Sequence, residues 1–145
     1  MDPRAPENLL RRQWTLWVML FATPLMALPI CVMVLKFDEL GAGQGPMVSA
    51  VFGAACLGAI AASFVVPARV RKQPSTSPEQ AVMTSFLLAN ALGEAGGLLI
   101  SVGYAMTRFS PLLVGLFASS LAMLAHRPSP EQNREWIKEI ERPVR

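Results

Sequence analysis

Apolar residues in this chain run together in four long blocks: Gln13 to Leu35, Met47 to Ala68, Ala81 to Met106 and Phe109 to Ala125. Each block is close to the ~20 residues that a helix needs to cross the hydrocarbon core of a bilayer, the last being short. Backbone groups in lipid must hydrogen-bond within their own segment, so four such runs predict four helices. Composition sharpens the picture. With 52% hydrophobic and 16% charged residues over 145 positions, and a mean hydropathy of +0.40, the chain lies outside the balance of a soluble domain. The rival is a soluble bundle of unusually greasy helices, and the run lengths argue against it. The expected fold is all-α: a four-transmembrane-helix bundle of two helical hairpins over 13–126, with a cytoplasmic segment 1–12 before it and a cytoplasmic tail 127–145 after it.

The formal charge is +3, but the basic residues flank the apolar blocks instead of sharing one face, which points to lipid headgroups and not to nucleic acid. Arg4, Arg11 and Arg12 precede the first block. Arg69, Arg71 and Lys72 fill the central loop, and Arg127, Arg134, Lys138, Arg142 and Arg145 follow the last block. Only Lys36 and Arg108 fall in the two alternate loops. Eleven against two predicts both termini and the central loop on the cytoplasmic side of a membrane, expected to be that of a bacterium. Trp14 and Trp17 at the inner side, with Tyr104 and Phe109 at the outer side, fit interfacial aromatic belts.

The first block has a twin arginine ahead of it, yet it is too long for a cleaved export signal and no A-x-A site follows; Ile30 is too large for a lipoprotein box before Cys31. It reads as a retained anchor. Cys31 and Cys56 read as small hydrophobes at different depths, with no disulfide expected. GAGQG at 41–45 lacks the preceding strand of a phosphate loop and reads as a linker.

Helix starts are marked by SPEQ, which occurs at Ser77 to Gln80 and again at Ser129 to Gln132: serine as N-cap, proline at the first helical position and glutamine at N3. The second copy opens a tail segment in which Trp136, Ile137 and Ile140 can share a face. It predicts a short amphipathic helix along the inner interface until Pro143, the alternative being a solvated charged tail. Pro24 and Pro29 predict a bent first helix, either a fixed kink or a hinge.

Small residues recur every four positions on two of the predicted helices: Ala50, Ala54, Gly58 and Ala62, and Ala89, Gly93, Gly97 and Ser101. Such ridges allow close helix approach, either between the second and third helices of one chain or in a homo-oligomer. Beside the second ridge lies Glu94, in mid-helix, with Asn90 one turn before it and Ser101 two turns after it on the same face. No Lys, Arg or His lies within the four blocks. A charged group there costs at least ~2.5 to 3.5 kcal/mol on insertion scales, so Glu94 is expected to be protonated and hydrogen-bonded, or to face a hydrated cavity.

Residues 50 to 104, and above all "RVRKQPSTSPEQAVMTSFLLANALGEAGGLL", resemble the proteolipid c subunit of rotary ATPases. The resemblance implies a helical hairpin in which Arg71 to Pro74 match the polar loop and Glu94 the ion-binding carboxylate. The alternate-glycine pattern of that family's first helix is absent, and four spans replace two. The whole chain is also similar to small four-span bacterial membrane proteins carrying an A-L-x-E segment, a likeness that implies no activity.

No enzyme is expected, since the single histidine, His126, stands at the cytoplasmic end of the fourth block and Asp2 and Asp38 lie outside the spans. His126 reads as an interfacial residue favoured by the helix dipole. No metal constellation or cofactor motif is visible. Two functions stay open. One is a proton- or ion-handling subunit in which Glu94 binds the ion and Asn90 and Ser101 tune it. The other is an assembly protein in which Glu94 clasps helices and the tail recruits other membrane subunits.

Overall fold

A computed structural model describes residues 5–34, 45–72 and 77–141, and all of its regular elements are helices. In chain order they are α1 (Ala5–Val34), α2 (Gly45–Arg71), α3 (Pro78–Thr107), α4 (Leu112–Ala125) and α5 (Pro130–Glu141). Lys36, Asp38, most of the GAGQG stretch, the Gln73–Pro74 pair and Pro143 lie outside the described residues. Three helices, α1, α2 and α3, are long and apolar enough to cross a membrane. The fourth block forms a helix of 14 residues, which spans only about 21 Å at 1.5 Å per residue against a core of ~30 Å.

The start of α3 is the one the SPEQ motif predicts. Ser77 is extended, with φ −152° and ψ 145°, and its hydroxyl accepts from the Gln80 N–H at 3.2 Å, while Pro78 occupies the first turn. The far end stops on Arg108, left-handed at φ 52°, whose N–H donates to the Tyr104 carbonyl at 2.8 Å. The second SPEQ likewise opens α5 at Pro130, where the Asn133 N–H donates to the Ser129 carbonyl at 3.1 Å. Both interior prolines, Pro24 and Pro29, sit within an α1 that runs unbroken over 30 residues.

The hub of the bundle is α3. Half of its apolar window is buried, against 6% for α1 and 17% for α2, and it meets each of the other four helices. The α2–α3 pair is antiparallel: Phe52 lies against Gly103, Cys56 against Gly96, and the Pro67 carbonyl accepts from the Ser85 hydroxyl at 3.3 Å. By contrast α1 runs parallel to α3, its Asn8 and Arg12 bordering the same furrow as Ser77 and Met83. Between α2, α3 and α4, Cys56, Ile100 and Leu112 form a buried cluster, covered by Phe52, Ile60, Tyr104 and Leu116. Both cysteines are free thiols.

Because α4 ends level with Ala89, where His126 and Ala89 line one small pocket, it leaves the first turns of α3 uncovered. The α5 helix packs there.

Candidate functional site

The close approach of the helices depends on which α3 positions lack a side chain. A Cβ on Gly93 would stand 2.7 Å from the Met123 Cγ of α4, and one on Gly97 would stand 2.5 Å from the Pro24 Cβ of α1. One on Gly103 would meet the Phe52 ring of α2 at 2.7 Å. The α3 ridge of Ala89, Gly93, Gly97 and Ser101 is thus buried, but it serves α1 and α4, while Gly96 and Gly103 serve α2.

The α2 ridge is not the face that meets α3. Ala50 and Ala54 are exposed, Ala62 is half-buried, and a Cβ on Gly58 would meet nothing within 4 Å. Toward its neighbours α2 turns Ser49, Cys56, Ser63 and Pro67. The physical reason is polarity. That face carries the two hydroxyls that find acceptors inside the protein, whereas an alanine row loses nothing by facing outward.

On the polar stripe of α3, Asn90 is fully buried. Its amide nitrogen donates to the Phe86 carbonyl at 3.0 Å, but its Oδ1 has no hydrogen-bond partner among the described residues. Ser101, also fully buried, donates to the Gly97 carbonyl at 2.9 Å, with the Pro24 carbonyl of α1 further away at 3.5 Å. Glu94 is half-buried, one turn beyond Asn90. The three residues therefore share a face without direct bonds to one another, and Ser101 spends its only proton on its own helix.

A second polar cluster, where α1 and α5 meet, has no signature in the sequence spacing. Gln13 of α1 and Asn133 of α5 are buried and exchange two side-chain bonds, Gln13 Nε2 to Asn133 Oδ1 at 3.2 Å and Asn133 Nδ2 to Gln13 Oε1 at 2.6 Å. The Trp17 indole N–H donates to the Met123 carbonyl at 2.9 Å, and the Arg71 guanidinium stands 4.3 Å from the centroid of the Trp136 ring. The face of α5 that carries Asn133 and Trp136 is thereby turned to α1 and α2.

His126, just past the end of α4, is buried against Phe64 and lies 3.1 Å from the Ser63 Oγ through its Nε2. The Ser63 Oγ also lies 2.7 Å from the Ile60 carbonyl, so when its hydroxyl donates there the histidine is the donor through Nε2. Burial pushes the His126 imidazole below the ordinary histidine range.

Among the described residues no three His, Cys, Asp or Glu side chains come together to hold a metal ion. Searches against protein families, curated proteins and solved structures find no match to this chain, so the site is read from its own chemistry.

Proposed function

We propose that the chain is a four-span membrane protein whose intramembrane carboxyl, Glu94, holds a proton and passes it on, with the termini and the tail helix on the cytoplasmic side. The observation that carries this reading is the orphaned Asn90 Oδ1, fully buried and one helical turn from Glu94. A buried acceptor without a donor costs about 1 to 3 kcal/mol, and a buried polar group left so in a native protein calls for an explanation. The protonated form of Glu94 supplies one: its O–H is the nearest acidic donor along the same helix face. The same form resolves the cost of a carboxylate at mid-membrane with no cation at its depth. The likeness of residues 50 to 104 to the proteolipid c subunit supports the same assignment of Glu94, and of the two expected tuning residues Asn90 keeps that part while Ser101, bonded to the Gly97 carbonyl, does not.

Four spans require the short α4 to be accommodated by local thinning of the bilayer or by its interfacial flanks, which costs fractions of a kcal/mol per Å. The α5 helix then lies at the inner interface, its polar side toward water.

A second reading, assembly without transport, draws on the outward row of Ala50, Ala54 and Gly58, which leaves α2 free to meet a second copy or another subunit. Proton flux in liposomes separates the two. The first reading expects flux that Glu94→Gln abolishes while the protein stays folded. Equal flux from both proteins, with oligomers weakened by Gly58→Leu, supports the second.

A further inference from the structure

At the inner end, α1 and α3 leave between them a furrow of about 560 Å³ lined by Asn8, Arg11, Arg12, Thr15, Leu16 and Met83. It continues along Asn8, Arg12 and Met83 toward the start of α3, where Glu79 stands at its far mouth. Arg11 and Arg12 are both exposed, and no ion pair ties either to an acid among the described residues. The Thr15 hydroxyl is already engaged with the Arg11 carbonyl at 3.1 Å. The furrow therefore offers two guanidinium groups and one amide, with the apolar side chains of Met83 and Leu16 along its wall.

We propose that this furrow binds one anionic glycerophospholipid, its phosphodiester held by Arg11 and Arg12 and the head of an acyl chain laid over Leu16 and Met83. Guanidinium groups bond phosphate oxygens in pairs, which an ammonium cannot do. The level is also right. Trp14, exposed on the next turn, marks the depth where an indole sits among headgroups, and beyond Thr15 the exposed face of α1 continues with the apolar Val18 and Met19. A soluble anion would gain the arginines but leave Leu16 and Met83 uncovered, whereas a phospholipid meets the charges and the apolar wall at once.

This assignment rests on the chain being embedded in a bilayer. It is tested by reconstituting the full chain in nanodiscs of mixed phosphatidylglycerol and phosphatidylcholine and weighing the lipids retained after gentle release by native mass spectrometry. The wild type retains phosphatidylglycerol in preference, and the Arg11→Gln/Arg12→Gln variant loses that preference by about fivefold for each charge removed. The control Arg69→Gln/Lys72→Gln, which removes two exposed charges from the end of α2, keeps it. Equal retention by the wild type and the α1 variant, or equal losses in the α1 variant and the control, overturns the furrow as a site. Failure of the wild type to enter the discs contradicts the membrane reading itself and takes the furrow with it.

Discussion

Gln13 and Asn133, 120 positions apart, face each other through both of their amide groups inside the protein, so that the tail helix is fastened to the first helix by two buried hydrogen bonds. Replacing one amide leaves the other buried with a donor and an acceptor unmet. Gln13→Leu or Asn133→Leu alone is expected to cost about 1 to 3 kcal/mol, and the double substitution less than the sum of the two. Unfolding titrations of the four proteins of the cycle check this. The reading fails if the two costs simply add. Hydrogen exchange in α5 should rise in either single variant, because the helix then keeps only its packing on α3 and the stacking of Arg71 on the half-buried Trp136 ring, itself worth about 0.5 to 2 kcal/mol.

Glycine positions give opposite expectations on two helices. Gly97→Ala pushes a methyl into Pro24 and the Ser119 hydroxyl, and it should destabilise the bundle by about 1 to 3 kcal/mol. Gly58→Ala meets open space, and its helix propensity makes it neutral or stabilising by up to about 1 kcal/mol. The comparison is made in the same detergent by thermal unfolding, and equal losses would mean that α2 packs through its small-residue row after all.

His126 predicts a pH dependence with a definite sign. Its folded imidazole titrates below the unfolded one, so between the two values the unfolded chain binds the extra proton. Stability is therefore full above the unfolded value, near pH 6.5, and falls as pH drops through that value toward the lower, folded one. Unfolding followed from pH 8 to pH 5 should display this decline, and His126→Gln should flatten it. A decline of equal size in the variant would assign it to other groups.

Long apolar runs and capping chemistry made much of this architecture legible in the sequence. The Ser77 cap, the Pro130 start and the length of α3 follow from local rules that act within one turn. The direction in which α2 faces did not follow. Two alternative rows, Ala50–Ala54–Gly58 and Ser49–Cys56–Ser63, occur on the same helix, and the choice between them is made by acceptors on other helices, such as Thr107 for Ser49 and the Gly115 carbonyl for Cys56. Gln13 was hidden for the same reason. Beside Arg11 and Arg12 it reads as the polar edge of a span, and only the return of the chain 120 residues later gives it a partner. At the candidate site the shared face of Asn90, Glu94 and Ser101 was readable from helical spacing, but the committed proton of Ser101 and the orphaned oxygen of Asn90 were not, since both depend on which carbonyls lie within reach.

The protonation state of Glu94 in a bilayer at neutral pH bears most directly on the proposed function, and infrared difference spectroscopy reads it. The carbonyl stretch of a protonated carboxylic acid should be present in the reconstituted protein, vanish in Glu94→Gln, and move to higher frequency in Asn90→Leu as the acid loses its acceptor. A spectrum without such a band, or a band that Asn90→Leu leaves in place, contradicts the account.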